Sequence, residues 1–163
     1  MVFFVTSSKI FEASLSLSDN LDLLKFLNTE FLNILDLASK YNIDTIDTAI
    51  SYGNSEEAIG NSNSNDHKII TKLPKVPNNI TNIKEWINSN ILKSLTLLKT
   101  SSVYGVLLHE PNQLLNPNGN EIYRSLKKLK DQDLIKNIGI SIYDPLQLDN
   151  IIPMYDFDIV QSP

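Results

Sequence analysis

Apolar residues along this chain follow two alternating rhythms: short, nearly continuous runs, and longer stretches at helical spacing. From residue 29 the alternation is regular. Phe31, Leu32, Ile34, Leu35, Ala38 and Tyr41 repeat as a helix does behind Thr29, a good cap, and Asn42 suits the left-handed turn that would end it. Ile43 to Thr48 then predicts a strand, Ser55 to Gly60 a short helix, and Asn61 to Asp66 a polar loop. Lys68 to Leu73 predicts the next strand, closed by Pro74. Thr81 is the expected cap of a helix whose apolar stripe is Ile83, Trp86, Ile87, Ile91, Leu95 and Leu98. Val103 to His109 predicts a strand, and Glu121 to Lys130 a helix with Ile122, Leu126 and Leu129 inward. Ile138 to Ile142 follows as a strand, Asp144-Pro145 opens a helix to about Ile152, and Phe157 to Gln161 is the last strand. Residues 1–28 have a weaker pattern: Val2 to Thr6 allows a strand, and Leu15 to Leu27 a helix or an arm. The expected organisation is therefore an N-terminal segment, 1–28, and one domain, 29–163.

Strand alternating with helix implies a parallel sheet with right-handed crossovers, and the apolar strand cores imply burial on both faces. An open doubly wound sheet and a (β/α)8 barrel both fit. No Gly-x-Gly-x-x-Gly or phosphate-loop lysine follows any strand, which counts against a doubly wound nucleotide-binding fold. Polar side chains stand at or near the carboxyl ends of five predicted strands: Asp47, Lys72, His109, Ser141 and Gln161. In a barrel those ends open on one mouth, where active sites sit. The expected fold is an incomplete barrel of this kind, with strands two to six recognisable.

Composition narrows the function. The chain carries a net charge of −5, and Arg124 is the only arginine among 14 basic residues. Without a basic stripe, nucleic acid and anionic membrane surfaces are poor partners. The only basic cluster, Lys127-Lys128-Leu129-Lys130, reads as the solvated face of a helix. No apolar run approaches the ~20 residues that span a bilayer, and Met1 to Val5 is too short for a signal-peptide core. A cytoplasmic location is expected. With no cysteine and two histidines, disulfides, thiol nucleophiles and a transition-metal site are not expected.

The chemistry concentrates in Asp47-Thr-Ala-Ile-Ser-Tyr52-Gly. Each polar residue has an ordinary explanation when taken singly: a turn cap for Asp47, a rim aromatic for Tyr52, a snorkelling lysine for Lys72, a loop histidine for His109. Together, at strand ends, they form a proton-donating set. Asp47 is expected to pair with Lys72, and the lysine ammonium to lower the tyrosine pKa from its ordinary value of about 10. Tyr52 would then protonate a developing alkoxide, and His109 would hydrogen-bond the same oxygen.

These residues resemble the aldo-keto reductases. Asp47 to Gly60 is similar to the family's signature, Thr71-Lys72-Leu-Pro to its lysine strand, and Leu107-Leu-His109-Glu-Pro to its histidine strand. Ile138-Gly-Ile-Ser141 and Val160-Gln161 resemble the strands that hold a nicotinamide carboxamide. The resemblance runs over residues 30 to 163 and implies a (β/α)8 barrel. It implies carbonyl–alcohol interconversion with NADPH or NADH, with Tyr52 as acid/base, Lys72 and Asp47 as its tuners, and His109 orienting a small-molecule carbonyl substrate. It also implies Ser141 and Gln161 as cofactor contacts. Two departures stand out: Asn42 occupies a common glycine position, and Ile142 follows Ser141 where many members have asparagine. The pattern stops after what would be strand six, whereas a complete barrel needs roughly 250 residues, so the chain alone is expected to lack part of the cofactor site. Two rival readings remain: a Schiff-base lyase using Lys72, with Asp47 and Tyr52 as proton shuttles, and a non-catalytic fragment that self-associates through exposed barrel edges.

Overall fold

The computed structural model of the chain describes residues 5–6, 33–62 and 67–162. Six parallel strands form one sheet: β1 (Val5–Thr6), β2 (Thr45–Asp47), β3 (Lys68–Leu73), β4 (Val103–Leu108), β5 (Ile135–Ser141) and β6 (Ile159–Gln161). Helix α1 is described over 33–40. It is followed by α2 (Ser55–Gly60), α3 (Ile83–Leu97), α4 (Gly119–Asp131) and α5 (Leu146–Ile151), with a 3-10 turn at Pro111–Leu115 after β4. The expected helix over 15–27, the Thr29 cap, and Phe31 and Leu32 lie outside the described residues.

Each strand pairs with the next one in sequence, so the order in space is the order along the chain. A doubly wound sheet reverses its order at a switch point, and none occurs among these strands. The fold is an incomplete (β/α)8 barrel, as expected. Alternation along each strand then separates two environments. Ile69, Leu73, Val106, Leu108, Ile138 and Ile140 join Ile87 and Ile91 of α3 and Leu126 of α4 in one apolar cluster between sheet and helices. The intervening positions turn to the other face. The switch is visible on β3, where Thr71 reaches Glu56 of α2 while Lys72 reaches Asp47 of β2.

Gly139 shows how tight that inner face is. A methyl group there would run into the Ile159 carbonyl oxygen and the Leu107 side chain, one a backbone atom that cannot swing away. Gly139→Ala is therefore expected to cost about 1–3 kcal/mol, read as a lower midpoint in urea unfolding at constant slope. An unchanged midpoint would mean that β6 gives way freely.

Several boundaries differ from the sequence expectation. Asn82, not Thr81, caps α3: its side-chain oxygen accepts from the Glu85 N–H at 3.1 Å, and its Nδ2 donates back to Glu85 Oε2 at 2.8 Å. The reciprocal spacing of three residues to a glutamate favours Asn82 over its neighbour. Strand β5 starts at Ile135 rather than Ile138, because Asp133 turns the chain with φ 60 directly after α4. Asn42 takes the left-handed conformation expected of it, φ 57.

Candidate active site

Three backbone hydrogen bonds extend the ladder past the strand ends and set the positions of the polar residues. Thr48 N–H donates to Ile70 O at 2.9 Å, and Ile50 N–H to Lys72 O at 3.1 Å, so the segment after Asp47 still follows β3. On the other side, His109 N–H donates to Leu73 O at 3.0 Å. The backbone around Lys72 is thus held between the two loops that carry Tyr52 and His109.

The turn that presents Tyr52 is locked from below. Tyr52 N–H donates to Ala49 O, Ser55 N–H donates back to Tyr52 O, and Gly53 takes φ +59, a conformation a side chain would disfavour. The Thr48 and Ser55 hydroxyls bond at 2.7 Å. Glu56 anchors α2. Its buried carboxylate accepts from Thr71 Oγ1 at 2.7 Å and Ser94 Oγ at 2.5 Å, tying the Tyr52 turn to β3 and α3.

Asp47 and Lys72 form a buried ion pair. Lys72 Nζ donates to both carboxylate oxygens at 2.6 Å and to Thr48 O at 3.1 Å, and each side chain is only 3% exposed. The lysine has three N–H groups, and the three acceptors use them all. Its Nζ lies 5.4 Å from the centroid of the Tyr52 ring. The His109 ring meets Tyr52 edge-on, with centroids 5.8 Å apart and an interplanar angle of 76°. Asp47, Tyr52, Lys72 and His109 therefore come together in one cluster.

Their electrostatics differ from expectation in one respect. The Tyr52 phenol is raised above its ordinary value, not lowered: burial is the main cause, followed by the Asp47 carboxylate and then Tyr143. The physical reason is that burial strips water from a phenolate, and the nearby Asp47 carboxylate repels it further. His109 is lowered, mainly by burial and then by Lys72, against opposing contributions from Glu110 and Asp47. A neutral imidazole beside a protonated phenol is the resulting state near neutral pH.

Ser141 and Gln161 stand side by side at the ends of β5 and β6, paired in register. The pairing of Leu107 with Gly139 and Leu108 with Ile140 carries His109 to the same level as Ser141. Among the described residues, no hydrogen bond joins the Ser141 or Gln161 side chain to the other four. Among the described residues their side chains make no hydrogen bonds, so a hydroxyl and an amide are both open to a ligand. Ile142 is buried and donates its N–H to Gln161 O at 2.9 Å.

Sequence reasoning passed over three residues. Ser51, one before Tyr52, has its Oγ 3.5 Å from His109 Nδ1. Glu56 lies within Asp47 to Gly60 without an assigned role, and only the tertiary structure brings Thr71 and Ser94 to it. Gln113, 4% exposed, accepts from Val76 N–H at 3.1 Å and so ties the loop after Lys72 to the loop after His109. Among the described residues, no group of three or more His, Asp or Glu could hold a metal ion, and no helix is long and apolar enough to cross a membrane.

A parallel β/α half-barrel with an Asp–Lys pair, a tyrosine and a histidine at its strand ends has the layout of the (β/α)8 barrels, whose sites lie at the mouth. Comparison with known proteins narrows that class. The model of the Aldo/keto reductase family matches residues 23–162, and the chain belongs to that family. It is 29% identical over 120 residues to D-arabinose 1-dehydrogenase of Saccharomyces cerevisiae, covering 68% of this chain and 36% of the yeast protein. A putative aldo-keto reductase from Pseudomonas aeruginosa superposes with a TM-score of 0.73 at 22% identity, covering 98% of this chain and 60% of that one. The holo form of the aldo-keto reductase AKR11C1 from Bacillus halodurans gives a TM-score of 0.69 at 20% identity, covering 83% and 48%. The chain thus spans less than two thirds of each of these relatives. The last two likenesses speak for the fold alone.

Proposed function

We propose that this chain carries the proton-transfer part of an NADPH- or NADH-dependent reductase acting on a small-molecule aldehyde or ketone. The observation that carries this reading is the Tyr52 ring, 5.4 Å from the buried Lys72 ammonium and edge-on to His109. Tyr52 O–H would donate to the carbonyl oxygen as negative charge develops there. The neutral His109 imidazole would hydrogen-bond the same oxygen and orient the carbonyl. Asp47 holds Lys72 fixed, and the pair together sets the field at the phenol. Burial and Asp47 keep Tyr52 protonated, which is the form that reduction requires.

The nicotinamide cofactor, when bound, supplies the hydride. Ser141 and Gln161 fit its carboxamide: adjacent in register, they offer a hydroxyl and an amide without internal partners. Ile142, buried and apolar, adds no polar side chain to that set.

The Schiff-base alternative gains nothing from this geometry. A nucleophilic amine must be neutral and free, while the Lys72 ammonium is spent on three acceptors.

A thermal melt of the chain with and without excess NADPH, then NADH, tests the reading. Cofactor at 100 times its Kd should add about 2.7 kcal/mol, a rise of roughly 5–10 °C. A cooperative melt that neither cofactor moves would show that this chain by itself holds no nicotinamide cofactor.

A further inference from the structure

We propose that Ser51 is a positioning residue that fixes the tautomer of His109, donating its hydroxyl hydrogen to Nδ1 so that Nε2 carries the ring proton. This rests on the reading of His109 as the group that orients a carbonyl. A neutral imidazole can donate to a carbonyl oxygen from only one nitrogen; if that is Nε2, Nδ1 is left as an acceptor, and the Ser51 hydroxyl can donate to it. Among the described residues, Ser51 Oγ is the one partner of Nδ1, and Nδ1 is the one partner of Oγ. Their separation of 3.5 Å is at the long end of hydrogen bonding. Such contacts commonly tighten when an active site is filled.

The placement of Ser51 follows from the turn. Ile50 is pinned to β3 and Tyr52 folds back on Ala49, so Ser51 between them projects where His109 arrives from β4. The loop that delivers the phenol thereby also sets the imidazole. The other groups around His109 cannot take over this role. The Tyr52 ring meets it edge-on, and Lys72, Asp47 and Glu110 act on it through charge without a hydrogen bond to the ring.

The test reads the tautomer directly and needs no turnover. The chain is labelled with 15N-histidine, and long-range proton–nitrogen correlations are followed through a pH titration. A His67→Asn background leaves His109 as the single histidine. In that background Nδ1 is expected to be unprotonated and Nε2 protonated once the ring is neutral. Ser51→Ala should raise the Nδ1-protonated population and shift the His109 titration upward, because a hydrogen bond donated to the neutral form is lost. Ser51→Thr should restore both. A mere packing role would move neither the tautomer nor the sign of the titration shift. An Nδ1-protonated ring before any change at Ser51 overturns the proposal, and so does a Ser51→Ala titration that stays put or moves down. Should Ser51→Ala fail to fold, Ser51→Gly, which also removes the hydroxyl, is read by the same two criteria. If the tautomer is as proposed but carbonyl reduction is never found, the functional reading fails and the positioning role stands.

Discussion

Tyr52→Phe should lower carbonyl reduction by roughly 10²–10⁴-fold, the range expected when a positioned proton donor is removed. It should leave cofactor affinity unchanged. The substitution deletes one oxygen and keeps the ring, so the edge-on contact with His109 and the packing against Lys72 survive. In the proposed reading the cofactor is held by Ser141 and Gln161, on other strands, so its affinity should not respond. The measurement is single-turnover reduction beside a cofactor titration, in any form of the protein that turns over. The pH dependence adds a second reading of the same group. Tyr52 is raised by burial first and by Asp47 next, so the proton-loaded phenol, and with it the reduction rate, should persist through neutral pH and fall only in the alkaline range. A Tyr52→Phe protein that reduces carbonyls at the original rate would show that the proton comes from another group.

The parts of this site legible in the sequence are those written in local pattern. Lys72 could be placed because Lys68–Leu73 reads as a strand closed by Pro74, and the strand has those bounds in the structure. Asp47 and Tyr52 could be placed because a strand, a glycine turn and a helix start follow within a few residues, and Gly53 and α2 sit where that pattern put them. The strand order needed the same reasoning at longer range: alternation predicts a parallel sheet, and residues at strand ends predict a shared mouth.

What could not be read was tertiary. Nothing near Ser51 announces that a histidine 58 positions away will sit beside it. Glu56 and Ser94 are 38 residues apart and meet only because α2 packs on α3. The error about the Tyr52 phenol has the same origin. A lysine in the sequence predicts a lowering, but the sign at the phenol depends on how far the fold buries it and how close it brings the Asp47 carboxylate. The cap of α3 was missed by one residue because Thr81 and Asn82 are both good caps, and the glutamate three residues on decides between them.

Lys72→Met should be the most destabilising change in the molecule. The Asp47 carboxylate, 3% exposed, would lose both of its hydrogen bonds from Nζ and be left as a buried charge without its counterion. Breaking such a pair from one side costs about 3–5 kcal/mol, a large part of the roughly 5–15 kcal/mol that holds an ordinary domain together. Asp47→Leu should do comparable damage from the other side, leaving an ammonium with the Thr48 carbonyl alone. The double variant Asp47→Leu, Lys72→Met should recover most of the loss, because replacing both ions with apolar groups of similar volume removes the desolvation cost along with the attraction. Urea unfolding of the two singles and the double measures the coupling. The same set separates stability from chemistry. If the pair exists to set the field at Tyr52, the double variant should be folded and still poor at reduction, and its phenol should titrate closer to the ordinary tyrosine value once the Asp47 charge is gone. If the double variant instead reduced carbonyls normally, the pair would be serving only to seat the strand, and Tyr52 with His109 would have to account for proton delivery by themselves.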